Sequence, residues 1–127
     1  MSGAKWLLDT NVVIGLLKKR SAAIALAESN NLDLHQAAVS QITRMELLGF
    51  PSLGQEEEAA ILDFLSHCRV MFVDDVVEQR VIRLRRTVPC KLPDAIIAAT
   101  AQIHQLTLLT LDQRLEKLAG QIVNKTS

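Results

Sequence analysis

Apolar and polar positions alternate along the chain in short blocks. Trp6-Leu7-Leu8 is a brief apolar run that stops at Asp9-Thr10-Asn11, and Val12-Val13-Ile14-Gly15-Leu16-Leu17 follows at once. This pattern predicts a buried strand feeding a helix, with Asp9 at the carboxyl end of the strand. The helix is expected from Asn11 to about Lys19, because the cations Lys18-Lys19-Arg20 suit a helix C-terminus. Ser21 is expected to cap a second helix over 22–28, broken at Asn30-Asn31. A short strand is expected over 36–40, then a helix over 43–50 stopped by Gly49 and Pro51. The next helix, 55–67, carries Ala59, Ile61, Leu62 and Leu65 at core spacing and Glu56-Glu57-Glu58 in its first turn. Val70-Met71-Phe72-Val73 predicts a strand, and Asp74 or Asp75 the cap of a helix ending near Thr87. In that helix Val77, Val81, Ile82 and Leu84 mark the inner side, while Arg80, Arg83 and Arg86 fall on another. Pro93 opens a helix running to His104. A strand over 107–111, a helix over 112–119 closed by Gly120, and a final edge strand at Gln121-Ile122-Val123 complete the order. Strands alternating with helices predict a parallel sheet covered on both faces. In such sheets ligands bind just outside the carboxyl ends of the strands, at a topological switch point.

A chain of 127 residues predicts one domain over 1–127, and 49% hydrophobic residues make it globular rather than disordered. Fourteen basic residues balance fourteen acidic ones, so net charge supplies no basic nucleic-acid footprint. It does not exclude nucleic acid, because charges can be segregated over a surface. Cys68 and Cys90 stand far apart and outside any Cys-x-x-Cys pattern, as expected of reduced thiols inside a cell. His35, His67 and His104 lack His-x-x-x-His spacing, which argues against zinc. Asp9 interrupts the first apolar run too early for a signal peptide, and no apolar stretch approaches the roughly 20 residues that span a bilayer. The expected location is therefore the cytoplasm, with no membrane association.

Four carboxylates, Asp9, Glu46, Asp94 and Asp112, stand where an element begins or ends. Each has an ordinary structural reading. Asp9 and Asp112 can cap the helices that follow them. Thr43-Arg44-Met45-Glu46 fits a capping box. Asp94 follows Pro93 in a first helical turn, where the macrodipole favours an anion. Together they admit another reading: acids gathered at one edge of a sheet form a pocket for a hard divalent ion. Carboxylates supply charge and oxygen without completing the ion's shell, which leaves positions for water and a phosphate oxygen.

The residues around these acids resemble the motifs of the PIN-domain nucleases. Leu7-Leu8-Asp9-Thr10-Asn11 resembles the first motif, and Ser40-Gln41-Ile42-Thr43-Arg44-Met45-Glu46-Leu47-Leu48-Gly49 the second. Leu92-Pro93-Asp94-Ala95-Ile96-Ile97-Ala98-Ala99-Thr100-Ala101 resembles the third, and Leu109-Thr110-Leu111-Asp112 the fourth. Size and wording are most similar to the VapC-type toxins of toxin–antitoxin pairs. The resemblance implies a three-layer α/β sandwich with a central five-stranded parallel sheet in the order 3-2-1-4-5. It also implies a magnesium- or manganese-dependent endoribonuclease, a homodimer, and a small VapB-type antitoxin that holds it inactive. Asp9, Glu46, Asp94 and Asp112 would be the catalytic and metal-binding acids; Thr10, Asn11 and Thr110 either support them through hydrogen bonds or cap the adjoining helices. The fourth motif departs from the family in reading Thr110-Leu111-Asp112-Gln113, where many relatives carry Asn or Arg between Thr and Asp.

Arg44, Lys91 and Arg114 lie within a few residues of motif acids and are the candidates for holding RNA phosphates; the alternative is plain solvated cations. Trp6, Phe50, Phe64 and Phe72 read as core, leaving no platform for base stacking. Three other function classes compete with this reading. Met71-Phe72-Val73-Asp74-Asp75 resembles the acid pair of a phosphorylation receiver, but follows the third strand rather than the first. A haloacid-dehalogenase-type phosphatase needs Asp where Asn11 stands, and the scattered glycines form no phosphate loop. A PIN-like domain that binds RNA or protein without cutting remains the alternative to the nuclease.

Overall fold

The computed structural model describes residues 3–121. Eleven regular elements follow in chain order: β1 (Trp6–Leu8), α1 (Thr10–Leu17), α2 (Ser21–Ser29), β2 (Ala37–Ser40), α3 (Gln41–Leu48), α4 (Gln55–Ser66), β3 (Arg69–Met71), α5 (Asp75–Thr87), α6 (Leu92–His104), β4 (Thr107–Leu109) and α7 (Gln113–Ala119). A single 3-10 turn at Leu34–Gln36 leads into β2. The four strands form one parallel sheet in the order β3-β2-β1-β4. This is the expected order without its fifth strand, and the predicted strand at Gln121-Ile122-Val123 lies, beyond Gln121, outside the described residues.

Strand alternation sorts the core onto the two faces of the sheet. Leu7 and Ala38 pack with Val77, Val81 and Leu84 of α5, with α6, and with Leu115 and Leu118 of α7. Leu8, Ala37, Val39 and Leu109 pack on the other side with Val13 of α1, Leu47 of α3, and Ile61, Phe64 and Leu65 of α4. The result is a three-layer α/β sandwich. In α6, Ala95 and the run from Ile97 to Ala101 are buried, so this helix is enclosed nearly all round. Its small side chains let it lie close beneath the sheet. Arg80 of α5 is tied to it, donating to Gln102 Oε1 at 2.8 Å.

Several expected boundaries move. α2 starts at Ser21, with Arg20 rather than Ser21 in the cap position. α3 starts at Gln41, two residues before Thr43, because Ser40 accepts a cap hydrogen bond from the Ile42 N–H at 3.2 Å. Thr43 is thus an interior helical residue and the expected capping box does not form. β3 stops at Met71 and β4 at Leu109. Phe72 then lies beyond the edge strand and is 64% exposed, and Phe50, past the end of α3, is 47% exposed; neither is core. Ala59 and Leu62 of α4 also face solvent. The Asp74 carboxylate caps α5 by accepting from the Val77 N–H at 2.9 Å, an ordinary structural use for the acid of the receiver-like pair.

Candidate active site

β1 is the strand from which the chain turns both ways: β2 and β3 lie on one side of it and β4 on the other. The gap beyond the carboxyl ends of β1 and β4 is therefore the switch point of the sheet. A cavity of about 350 Å³ opens there, lined by Asp9, Thr10, Asn11, Glu46, Asp94 and Asp112 among polar residues. Ile14, Phe50, Pro93, Ile97 and Leu115 form its apolar walls. All four acids meet at this one cavity, each delivered by a different part of the chain. Among the described residues no basic side chain lines it.

Asp9 directly follows β1, and its N–H continues the ladder by donating to Leu109 O at 3.1 Å. Although it stands in the cap position of α1, its carboxylate makes no cap hydrogen bond. It is only 5% exposed and accepts from Thr110 Oγ1 at 2.9 Å instead. The same Thr110 oxygen accepts from the Asp112 N–H at 3.0 Å. That donor leaves the Thr110 proton for Asp9, so the hydroxyl bridges the ends of two neighbouring strands in one orientation.

Glu46 lies in the last turn of α3 rather than at its start, so it does not cap the helix N-terminus. Its Oε1 sits 2.6 Å from Thr10 Oγ1, which is also 2.9 Å from Thr43 Oγ1. Thr10 has one hydroxyl proton. The short bond to a charged acceptor takes it, and the buried Thr43 hydroxyl then donates to Thr10. Thr43 is the polar residue that sequence reasoning missed. Its capping-box pattern concealed it; the available signal was its position three residues before Glu46, one helical turn away on the same side.

Asp112 does cap its helix: its Oδ1 accepts from the N–H groups of Arg114 and Leu115 at 2.9 and 3.4 Å. Asp94 stands in the first turn of α6 without a side-chain cap, after Pro93. Asn11 is exposed at the cavity wall. Of the candidate cations, Arg44 does not line the cavity, since two residues along a helix turn it well away from Glu46. Lys91 and Arg114 lie beside the cavity rather than in it.

Burial raises the Asp9 carboxyl above its ordinary pKa. Hydrogen bonding from Thr110 and the Thr10 backbone opposes the rise, and the charges of Asp94 and Asp112 add to it. Asp94 is also raised, first by burial and then by Asp112 and Glu46, with Lys91 pulling the other way. These acids share a cavity that no described cation lines. Such a set suits a hard dication: every donor is a carboxylate or hydroxyl oxygen. Among the described residues no three such side chains are already drawn together around an ion position; a magnesium-like ion keeps several waters in its shell. Asp9, Glu46, Asp94 and Asp112 are the residues available to hold it.

The model of the PIN domain family matches residues 6–121. No curated relative matches the chain. Among solved structures, it is similar to a chain of a toxin–antitoxin complex from Klebsiella pneumoniae, with 34% identity, 87% of this chain and 88% of that one covered, and a TM-score of 0.74. It is also similar to FitAcB from Neisseria gonorrhoeae, at 28% identity, 90% and 92% coverage, and a TM-score of 0.72. DNA-bound VapBC from Salmonella typhimurium is similar at 29% identity, 81% and 83% coverage, and a TM-score of 0.66. Family match, sheet order and the meeting of the four motif acids agree, and the chain belongs to the PIN domain family.

Proposed function

We propose that this protein is a magnesium- or manganese-dependent endoribonuclease and the toxin of a VapBC-type pair. It would act in the cytoplasm, as a homodimer held inactive by a small VapB-type antitoxin. The observation that carries the nuclease reading is the meeting of Asp9, Glu46, Asp94 and Asp112 in one cavity at the switch point. The similarity to chains from toxin–antitoxin complexes supports the partner.

A dication held by Asp9, Glu46, Asp94 and Asp112 would supply positive charge to phosphate oxygens and acidify water, the chemistry that in-line phosphodiester hydrolysis needs. The chain's own groups provide placement. Thr110 holds Asp9 with one oxygen committed to the hydroxyl. Thr10, steadied by Thr43, holds Glu46. Asp112 commits Oδ1 to the start of α7 and lines the cavity. Fixed acids of this kind need no reorganisation as charge develops.

Purified protein mixed with structured RNA should cleave it in magnesium or manganese and not in chelator. Asp9→Asn, Asp94→Asn and Glu46→Gln should each slow cleavage by about a hundredfold or more, since each removes a charge from ion binding. Asp112→Asn should be milder, because Asn still caps α7. Cleavage that persists in chelator, or RNA binding with no cleavage in either metal, would overturn the nuclease reading, the second outcome in favour of a non-catalytic PIN-like domain. Co-expression with the small protein encoded beside it should yield a complex with suppressed activity, and a fully active complex counts against the antitoxin. Light scattering of the free protein at the mass of one chain would remove the homodimer.

A further inference from the structure

Asp94 and Asp112 belong to two cavities. Besides the acid cavity they line a larger one, of about 500 Å³, whose other charged walls are Lys91, Arg114 and Lys117. Lys91 occupies the cap position of α6, and Arg114 and Lys117 are three apart on α7, hence on one face of that helix. All three cations are exposed. The apolar groove on the other flank shares Ile14 and Phe50 with the acid cavity, and its one lysine, Lys18, is offset by Glu57. Among the described residues, net positive charge therefore adjoins the acids on the Lys91–Arg114–Lys117 flank and not on the groove flank.

We propose that the Lys91–Arg114–Lys117 cavity is a phosphate subsite that holds the RNA backbone immediately to one side of the bond cleaved, with Lys117 a further substrate-binding residue. The inference deepens the ribonuclease reading and rests on it. Four acids repel a polyanionic strand; cations next to them offset that repulsion and help fix the strand's direction across the site. Among the described residues no aromatic side chain lines this cavity, so its grip acts on backbone and is indifferent to base.

The test uses the full chain and a fluorescein-labelled single-stranded RNA, with anisotropy read in chelator over a salt series. The variants are Lys117→Gln and the triple Lys91→Gln/Arg114→Gln/Lys117→Gln. Lys5→Gln, before β1 at the opposite end of the strands, controls for net charge. Single strands give a log–log salt slope of about −0.7 per phosphate neutralised. The triple variant should flatten the slope by about 2 and Lys117→Gln by about 0.7, equally for poly-A and poly-U, while Lys5→Gln changes nothing. With magnesium, Lys117→Gln should raise KM several-fold at unchanged kcat. Slopes equal to that of Lys5→Gln overturn the subsite, and so does a loss confined to one base. An unchanged RNA slope with loosened binding of a protein partner overturns it in favour of a protein surface. Wild-type cleavage with unaltered slopes refutes the subsite alone. Flattened slopes in a protein that never cleaves refute the nuclease reading and leave the subsite standing.

Discussion

Replacing Thr110 by Val removes one hydroxyl with two assigned partners, and its cost should depend on pH. In the wild type the hydroxyl donates to the buried Asp9 carboxylate at 2.9 Å and accepts from the Asp112 N–H at 3.0 Å. A hydrogen bond to a charged group contributes about 1.5–3 kcal/mol, and one between neutral groups about 0.5–1.5. The Asp112 N–H is near solvent and can turn to water. Its loss should add little. The Asp9 partner is different, because burial already lifts its pKa and the Thr110 hydrogen bond opposes that lift. An Asp whose folded pKa is raised binds protons better folded than unfolded, so it loses stability as pH rises through the folded value. Removing Thr110 lifts that value further. Thr110→Val should therefore cost about 1 kcal/mol at a pH low enough to protonate Asp9 and about 2–3 kcal/mol at one high enough to ionise it. Urea melts in chelator at the two pH values measure this. Thr110→Ser should recover most of the loss, and in an Asp9→Asn background the pH dependence of the Thr110→Val cost should vanish. A cost equal at both pH values, or one that survives Asp9→Asn unchanged in its pH dependence, would refute the argument that Thr110 supports the Asp9 charge.

Asp94 is raised by burial and by its acidic neighbours, so Asp94→Asn in chelator should melt about 2–4 °C higher than wild type at neutral pH and lose that advantage as pH falls toward the ordinary carboxylate value. Magnesium at a hundredfold excess over its dissociation constant should stabilise the wild type by roughly 2.7 kcal/mol and the variant far less; a metal-free variant that melts lower would make Asp94 a mere helix-start anion. Thr43→Val should lower cleavage about three- to tenfold by freeing Thr10 from its second partner, at a stability cost of about 0.5–1.5 kcal/mol, with Thr43→Ser restoring both; unchanged cleavage would confine Thr43 to packing. A Cβ on Gly15 would stand 2.6 Å from Ala23 Cβ, so Gly15→Ala should lose about 1 kcal/mol despite its better helix propensity, while Gly15→Ala/Ala23→Gly should melt near the wild type; a stabilised single variant would show that α1 and α2 can part freely.

The local order of elements was written in the chain. Trp6-Leu7-Leu8 against Asp9-Thr10-Asn11, Pro93 before a small-residue helix, and Gly120 after Leu118 each encode a boundary through backbone preference and apolar spacing, which are short-range effects. The four acids were legible for a related reason, since each sits in a recognisable motif beside a strand end or helix. What each acid does was not legible. Asp9 and Asp112 read as caps, Glu46 as a capping-box partner and Asp94 as a helix-start anion; Asp94 does stand in the first turn of its helix, but of the other three only Asp112 uses its carboxylate as read. Asp9 turns to Thr110, 101 residues later, because β4 pairs beside β1. Glu46 is held from Thr10 because α1 and α3 pack on the same face of the sheet. Phe50 and Phe72 read as core from their hydrophobicity, but exposure is set by where the elements stop, and both lie just past an end. Lys117 had no motif to mark it; only the packing of α7 beside the start of α6 places it with Lys91 and Arg114. Periodicity and turn chemistry act over a few residues, whereas hydrogen bonds and cavities between distant segments exist only once the parallel sheet has fixed which strand ends are neighbours.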